Sequence, residues 1–386
     1  MSQQKRLFLL DAYALIFRGY YAFIKNPRIN SKGMDTSAIM GFMNSLLDVI
    51  KREKPDHLAV AFDKEGSFVR AEMYTEYKSN RSETPEAIML AIPYIHKLLE
   101  AMHIPIIELA GCEADDLIGT IAKQAEKHNY QVFMVTPDKD FAQLVSENIF
   151  MYKPARMGNG IEIWGVPEVL AKFEIERPEQ VVDFLGMMGD AVDNIPGLPG
   201  VGEVTAKKLL KEFGSMENLL ENTHMLKGKM RENIEANKEK GILSKKLATI
   251  ICDCDVTFNE SDYELTRPDA EKVEELFREL EFRRMAEQFN SLFYNELAPG
   301  VERKGLTPTQ TIVKGDQQFD LFSDNAPGDG EHIGTGYYRT LENSEHFYQL
   351  AESGMAIKLL LQNLMKQTSV SFDTETTGID ALNAEI

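Results

Sequence analysis

The chain has 386 residues, of which 43% are hydrophobic, and its 42 lysines and arginines stand against 61 aspartates and glutamates, a formal net charge of −19. This length suits two or three domains, and the lack of any uncharged apolar run of about 18 residues excludes a transmembrane helix. The cysteines Cys112, Cys252 and Cys254 are too few and scattered for a disulfide framework or a four-ligand zinc site, so we expect a reducing, cytoplasmic setting.

The first part of the chain alternates short apolar runs with segments of helical spacing, which is typical of a parallel α/β sheet. We expect strands at 6–11, 57–63, 104–110 and 131–138 and helices at 36–53 and 113–129. Three of these strands end in an aspartate: Asp11, Asp63 and Asp138. Because ligands of open α/β sheets bind outside the carboxyl ends of the strands, these aspartates are predicted to converge.

More carboxylates follow in three short stretches, "GCEADDLIGT", "TPDKDFAQLV" and "MMGDAVDNIPG". The complete predicted set is Asp11, Asp63, Glu113, Asp115, Asp116, Asp138, Asp140, Asp190 and Asp193. Oxygen-rich clusters without histidine or cysteine suit Mg²⁺ or Mn²⁺. Two such ions about 3.5–4 Å apart clamp a scissile phosphate. The alternative for each stretch by itself is an ordinary helix cap or turn.

After about residue 176 the strand pattern stops. Helices are expected at 178–190, 202–215, 228–241 and 270–289, within a mostly helical region that extends to 295. Residues 296–338 are rich in Gly, Pro, Asp and Thr and are predicted to be a flexible linker. Residues 339–386 look like the incomplete start of a further α/β domain, so we expect a fragment of a longer protein.

At these residues the sequence strongly resembles the 5′-nuclease domains of bacterial DNA polymerase I, within the flap-endonuclease family. The matching segments are "DAYALIFRGYYAF", "VAFDKEGSFVRAEMYTEYKSNR", "GCEADDLIGTIA", "TPDKDFAQLV", "DFLGMMGDAVDNIPGLPGVGEVTAKKLL" and "LSKKLATI". They span residues 6–290 in the family's order. The resemblance implies a PIN/FEN-like catalytic domain over 1–175 and a two-metal phosphodiesterase whose nine carboxylates are ligands or their immediate support. Asp11, Asp116 and Asp138 are the carboxylates expected to be catalytic.

The stretch "SFVRAEMYTEYKSNR" (67–81) supplies cations beside the carboxylates. Such cations neutralise a phosphate and stabilise charge that develops in the transition state. The resemblance implies that this stretch begins a helical arch, placed near 67–90, for single-stranded 5′ ends. The candidate DNA contacts are Arg18, Arg70, Tyr77, Lys78 and Arg81, with Lys78 and Arg81 preferred as the phosphate-activating pair and Tyr77 as a base-stacking residue. The alternative is a solvated amphipathic helix.

The glycine-rich turn in "NIPGLPGVGEVTAKKLLKEFG" (194–214) feeds a helix whose first N–H groups suit a phosphate. Its candidate DNA contacts are Gly197, Gly200, Gly202, Lys207 and Lys208. No base-reading side chain is evident, so we expect sequence-independent contact. The resemblance implies a helix–hairpin–helix that holds duplex DNA and binds K⁺. The basic stretch 227–246 either extends that surface or is a solvated helix. A tight connection between two helices is the alternative.

Two short motifs lie beyond the nuclease region. Gln318, Leu321 and Phe322 in "QQFDLF" resemble a sliding-clamp docking peptide, with an incidental apolar spot as the alternative. Asp373 and Glu375 in "SFDTETTGID" share one strand face and resemble the first motif of DnaQ-like (RNase H-like) 3′–5′ exonucleases. The rest of such a site would need later sequence.

The sequence as a whole predicts a monomeric, nucleoid-associated 5′–3′ exonuclease and flap endonuclease. It would use two Mg²⁺ or Mn²⁺ ions, act on DNA flaps and RNA primers in replication and repair, and form the N-terminal part of a DNA polymerase I. Two alternatives stay open: a PIN-like ribonuclease, in which the 194–214 hairpin is not expected, and a non-catalytic DNA-junction-binding module.

Overall fold

The computed structural model describes residues 4–154 and 160–295, and within them the chain forms a six-stranded sheet of order β3-β2-β1-β4-β5-β6. The strands are β1 Arg6–Asp11, β2 His57–Ala61, β3 Ile106–Ile107, β4 Gln131–Val135, β5 Ile149–Lys153 and β6 Glu162–Trp164. All neighbouring pairs are parallel except β5 with β6, which is antiparallel. The mainly parallel sheet predicted from the sequence is therefore confirmed.

The helices cover both faces of this sheet and then continue as a helical region. They are α1 Ala12–Ala22, α2 Ser37–Glu53, α3 Phe68–Met73, α4 Glu86–Ala101, α5 Ala114–Lys127, α6 Val166–Phe173, α7 Gln180–Met188, α8 Glu203–Phe213, α9 Met216–Glu221, α10 Gly228–Ala236, α11 Lys238–Ala248, α12 Glu260–Tyr263, α13 Ala270–Glu279 and α14 Arg283–Asn290. Short 3₁₀ turns occupy Lys139–Leu144 and Thr223–Met225, and a π-helical turn occupies Ser291–Asn295.

The alternation of side chains along β1 explains the layering. Leu7 and Leu9 point into the core that contains α5, whereas Phe8 and Leu10 point into the core that contains α1, α2 and α4. Both sets are fully buried, because successive residues of a strand face opposite sides of the sheet. A central strand buried on both faces reads as a continuous apolar run, which is why "RLFLLD" was recognisable.

The predicted strands after β1 are longer than the observed ones. β2 ends at Ala61 rather than residue 63, β4 ends at Val135 rather than 138, and only two residues of 104–110 pair as β3. The strands β5 and β6 were not predicted. The hydrogen bonds between neighbouring strands end before Asp63 and Asp138, because the chain turns there. The turns place these two carboxylates over the edge of the sheet.

Two predicted helices are each broken into two. The segment 228–241 breaks at Asn237, which lies between α10 and α11, and the segment 270–289 breaks where Glu281 takes a left-handed φ of 63°. The predicted segments 178–190 and 202–215 are α7 and α8 as expected.

The helical region does not form a core separate from the sheet. Helices α7 to α11 share the core that contains α5, and Phe277 and Phe289 of α13 and α14 enter the core that contains α1, α2 and α4. The two last helices therefore pack with α1, α2 and α4 on one face of the sheet, while the predicted DNA-binding region 176–295 stays a prediction. The predicted linker and the 339–386 segment lie outside the described residues.

The predicted helical arch is mostly not helical. In the stretch 67–90, α3 covers six residues, Thr75 to Asn80 form turns, 81–85 are irregular and α4 begins at Glu86. This segment lies against the loop 190–194: Asn80 Nδ2 donates to the Ala191 carbonyl at 2.7 Å, and Asn194 Nδ2 donates to the Glu76 carbonyl at 2.7 Å.

Candidate active site

Three strand-end aspartates meet at the carboxyl edge of the sheet. Asp11 ends the central strand and pairs in register with Ala61, two residues before Asp63, while Asp138 follows β4 on the other side. Thr136 links two of them: its Oγ1 donates to Asp11 Oδ2 at 3.0 Å and accepts from the Asp138 N–H at 3.2 Å. Thr136 was not predicted, although its place in "TPD" directly after a strand is a usable signal.

The N-terminus of α5 brings a further group of carboxylates to this edge. The Ala114 N–H donates to Asp63 Oδ1 at 2.8 Å, which fixes the start of α5 beside the end of β2. Glu113 is the N-cap, and its N–H donates to Asp116 Oδ2 at 3.3 Å in a capping box. Positive partial charge at the helix N-terminus favours carboxylates here.

The pKa shifts of Asp11 and Asp115 reflect burial and repulsion from neighbouring carboxylates at this edge. Burial raises the pKa of Asp11 to about 7, and repulsion from Asp63 and Asp138 adds to the shift. Burial also raises the pKa of Asp115 well above its usual range, again with contributions from Asp11, Asp138 and Asp63. Repulsion of this kind requires short distances between poorly hydrated charges.

A second group surrounds the turn after β4. Burial, reinforced by Asp138, raises the pKa of Asp140 to about 8, and removal from water raises the pKa of Asp138, with Asp193 and Asp190 adding to that shift. Oδ1 of Asp140 is buried and has no hydrogen-bond partner. An orphaned carboxylate oxygen among other carboxylates is the kind of donor that a hard cation satisfies.

The two predicted phosphate-activating cations lie directly on this cluster. Lys78 Nζ is 2.8 Å from Glu113 Oε1 and 3.9 Å from Asp193 Oδ2. Arg81 Nε donates to Asp193 Oδ1 at 3.0 Å. The Lys78 backbone takes a left-handed φ of 56°, and its N–H donates to the Asp193 carbonyl at 2.9 Å. Both cations are therefore held by side chains and backbone of the two acidic groups.

The structure gives Arg70 and Asp116 a different position from the predicted one. Arg70 is 3% exposed and Asp116 is fully buried. The guanidinium binds both Asp116 oxygens at 2.7 Å and donates to the Leu247 and Thr249 carbonyls. The Arg70 guanidinium is thus engaged inside the protein rather than exposed to a DNA strand, and both Asp116 oxygens accept hydrogen bonds from it.

Tyr77 lies next to the cluster. The Tyr77 hydroxyl donates to Glu113 Oε2 at 3.2 Å, and the Lys78 ammonium lies 5.1 Å from the centre of the Tyr77 ring. Burial raises the pKa of Tyr77, so this hydroxyl stays protonated. Arg18 is half-buried in α1. The role of Tyr77 in base stacking stays a prediction. Its ring is half-buried, and its hydroxyl is held by the hydrogen bond to Glu113.

The glycine-rich turn divides into a buried and an exposed part. Gly197 is buried with a φ of 64°, and a Cβ there would stand 2.7 Å from backbone atoms of Met188 and Gly189. Its predicted contact with DNA is therefore wrong; it is needed for a close approach of two backbones. Gly200 and Gly202 are exposed, and Gly202 is the N-cap of α8. Lys208 is exposed, whereas Lys207 pairs with Glu174 and Glu203.

No group of three or more acidic, histidine or cysteine side chains in 4–154 and 160–295 stands close enough to form a ready-made metal cage. Mg²⁺ does not require one, because it keeps several waters and takes one or two carboxylates plus substrate phosphates. The raised pKa values of Asp11 and Asp140 indicate that the carboxylates are crowded, and the unpaired Asp140 oxygen indicates that they have too few hydrogen-bond donors around them. This donor set fits a hard divalent cation.

Family comparisons agree with this geometry. The family model described as "5'-3' exonuclease, N-terminal resolvase-like domain" matches residues 6–174, and "5'-3' exonuclease, C-terminal SAM fold" matches 176–271. The chain belongs to the 5′–3′ exonuclease family. It is accordingly a nuclease, and the second match covers the helical region that carries the glycine-rich turn.

Relatives of this exonuclease family differ in length. The chain is 37% identical to the 5'-3' exonuclease of Aquifex aeolicus over 289 residues, 75% of this chain and 96% of that protein. It is 38% identical to DNA polymerase I of Bacillus subtilis over 290 residues, 75% of this chain and 32% of that protein. The chain thus spans nearly all of the first relative and about a third of the second.

Solved structures show the same fold at low identity. The T5 D15 protein co-crystallised with metal ions aligns with a TM-score of 0.55 at 18% identity, over 75% of this chain and 99% of the other. The catalytic core of Rad2 in complex with DNA substrate aligns with a TM-score of 0.52 at 18% identity, over 75% and 93%. The predicted PIN/FEN-like fold is confirmed.

The remaining predicted sites are not part of the described structure. Gln318, Leu321, Phe322, Asp373 and Glu375 all lie outside the described residues. In the part of the chain that the structure describes, no helix is both long and apolar enough to cross a bilayer.

Proposed function

We propose that this exonuclease is a divalent-metal-dependent phosphodiesterase that cuts DNA at or near junctions between single strand and duplex, removing 5′ flaps, RNA primers or damaged 5′ ends. The observation that carries the proposal is that Asp11, Asp63 and Asp138 stand at the ends of neighbouring strands at one sheet edge, where burial and the charges of all three raise the pKa of Asp115. Placing carboxylates close together without hydrogen-bond donors costs free energy, unless cations bind between them.

The carboxylates divide into two groups around the Lys78 side chain. Asp11, Asp63, Glu113 and Asp115 form one group, and Asp138, Asp140, Asp190 and Asp193 form the other. Each group would hold one Mg²⁺ or Mn²⁺, with Asp116 as support. When bound, such ions supply an activated water and stabilise the leaving oxygen of the scissile phosphate.

The chain's own cations act on the substrate. Lys78 and Arg81 stand between the two acidic groups, so they are placed to bind a phosphate that lies over the sheet edge. Thr136 holds Asp11 and the Asp138 turn in fixed orientation, and the start of α5 does the same for Asp63. Fixed orientation lets these groups act without reorganising during the reaction.

The exposed part of the glycine-rich turn would hold the duplex. Gly202 is an exposed N-cap without side-chain capping, so the first N–H groups of α8 would bind a phosphate, and the exposed Lys208 adds a cation on the same helix. K⁺ would bind the turn together with a DNA phosphate. The family match over 176–271 favours this DNA-holding module over a PIN-like ribonuclease.

Wider roles follow from the relatives. Because this chain aligns with about a third of the Bacillus subtilis DNA polymerase I, we propose that it is the N-terminal part of such a polymerase and that it acts as a monomer near the nucleoid in replication and repair. We also propose, from the motif at residues 318–322, that these residues dock on a sliding clamp. Loss of clamp affinity on replacing Leu321 and Phe322 with Ala tests that docking; unchanged affinity ends it.

The central test is cleavage of a labelled 5′-flap DNA with Mg²⁺ and with EDTA. We expect products with 5′-phosphate and 3′-hydroxyl ends in Mg²⁺, no cleavage in EDTA, and no cleavage by Asp138→Asn with junction binding retained. A junction-binding module without catalysis would bind and never cut, and a ribonuclease would cut only RNA strands. Either result would overturn the proposal.

A further inference from the structure

Lys153 ends β5 at the same sheet edge as the carboxylates, on the side away from Lys78. The order β2, β1, β4, β5 places Asp63, Asp11, Asp138 and Lys153 in one row of strand ends. Val135 pairs with Tyr152, so Lys153 stands opposite Thr136, two residues before Asp138. Neither the sequence motifs nor the family resemblance pointed to this residue.

The Lys153 ammonium is held by an aromatic ring. Its Nζ lies 3.8 Å from the centre of the Trp164 ring on β6, and Lys153 pairs in register with Glu162. The lysine and the tryptophan are both half-buried. The indole face fixes the position of a cation without neutralising its charge, as a carboxylate would.

The charges around Lys153 come from three elements. Glu162 on β6 and Asp138 after β4 attract the ammonium, Lys172 on α6 repels it, and partial burial lowers its pKa. Lys172 is exposed, so two cations stand on this side of the carboxylates. A partly desolvated cation beside a second cation is a favourable position for an anion.

We propose that Lys153, positioned by Trp164, binds a backbone phosphate next to the scissile one on the DNA strand being cut. Neighbouring strands lie about 4.8 Å apart, so Lys153 is roughly 10 Å from the end of the central strand. At about 3.4 Å per base, that span is about three nucleotides of a stacked strand, and it is fewer when the bases are unstacked. A phosphate that flanks the scissile one would therefore lie over Lys153. Lys78 and Arg81 would bind from the opposite side.

This inference rests on the proposed function, and its test separates the two. Equilibrium binding of a 5′-flap DNA is measured in EDTA over a range of salt concentrations, and single-turnover cleavage is measured in Mg²⁺. Lys153→Ala should raise the Kd about three- to tenfold and reduce the slope of log Kd against log salt by about 0.7–0.9, the value for one lost phosphate contact. The cleavage rate at saturating enzyme should change less than twofold, on the order of experimental scatter.

Companion variants separate contact from folding. Lys153→Arg should keep affinity and salt slope near wild type, because guanidinium also stacks on an indole. Trp164→Leu should reproduce part of the loss. The matched control is Lys97→Ala, since Lys97 lies 5.4 Å from the Tyr94 ring on α4 and is exposed elsewhere on the fold. It should leave both measurements unchanged.

The outcomes are distinct. If wild-type protein does not cut the flap, the proposed function fails whatever Lys153 does. If wild type cuts and Lys153→Ala binds with an unchanged Kd and salt slope, or if Lys97→Ala weakens binding as much, the phosphate contact is overturned. If Lys153→Ala melts at a lower temperature than Lys153→Arg, the Kd and salt slope of Lys153→Arg decide the outcome instead.

Discussion

Arg70 and Asp116 form a buried, two-pronged ion pair that joins three parts of the chain. The guanidinium on α3 binds both carboxylate oxygens on α5 at 2.7 Å and also donates to the carbonyls of Leu247, in α11, and Thr249, just after it. The Ile251 N–H donates to Asp116 Oδ1 at 2.8 Å as well. The pair therefore fixes the start of α5, where Glu113 and Asp115 enter the active site.

Loss of Arg70 should destabilise the fold strongly. Arg70→Met leaves the Asp116 carboxylate buried without its partner, so we expect the free energy of unfolding to fall by about 3–5 kcal/mol in urea denaturation without metal. The control is Arg52→Met, whose exposed pair with Asp48 is worth less than about 1 kcal/mol. If Asp116→Asn kept full stability but lost Mg²⁺ affinity, Asp116 would be a metal ligand instead.

Removal of one charge from the carboxylate cluster should stabilise the metal-free protein. The pKa of Asp140 is raised to about 8 by burial and by Asp138, so its ionised form is less stable in the folded state than in the unfolded state. Wild type therefore loses stability as pH rises from about 4 to about 8. Asp140→Asn has no such loss of stability. In EDTA, its melting temperature should therefore exceed that of wild type by an amount that grows from pH 5 to pH 8.

The same Asp140→Asn variant should cut flap DNA far more slowly in Mg²⁺, because it loses a carboxylate oxygen that would bind the metal. A melting-temperature difference that stays constant with pH would contradict the raised pKa. The exposed Asp262→Asn, on α12 at a distance from the cluster, is the control for a change of net charge.

Neutralising either active-site cation should slow cleavage. We expect Lys78→Met and Arg81→Met each to lower the single-turnover rate by about 10²–10³-fold, since each removes a positive group aimed at the reacting phosphate. Lys97→Met on α4 is the control and should cut at the wild-type rate. Equal rates for Lys78→Met and wild type would show that the ion pair of Lys78 with Glu113 is only structural.

The glycine-rich turn should respond differently at its two ends. Gly197→Ala places a Cβ 2.7 Å from the Met188 backbone at a positive φ, so we expect a loss of about 1–3 kcal/mol in unfolding free energy. Gly202→Ala meets nothing within 4 Å and should fold normally. If Gly202 contacts a phosphate, its alanine variant binds duplex more weakly; equal binding by a stable Gly202→Ala would remove that contact.

Local pattern was sufficient for much of the fold. β1, α2, α5, α7 and α8 are predictable from apolar periodicity, because each buries a regular stripe or run in one or both of the two cores. The strands β5 and β6 escaped prediction, and β3 is shorter than the predicted strand at 104–110, since pairing with a neighbouring strand rather than local pattern decides which residues join the sheet. The broken helices at Asn237 and Glu281 escaped for a similar reason: the tertiary cores, rather than helix propensity, decide where the chain turns.

The sequence by itself determined the family, the parallel sheet and the gathering of Asp11, Asp63 and Asp138 at strand ends, because parallel strands bring their carboxyl ends to one edge. Only the tertiary structure decided what each charge meets. Arg70 and Asp116 look like surface groups in one dimension, yet burial makes them partners, and Lys153 reaches the same edge through a strand that the sequence did not reveal. Contacts between residues distant in sequence set burial and charge, and these fix the role of a side chain.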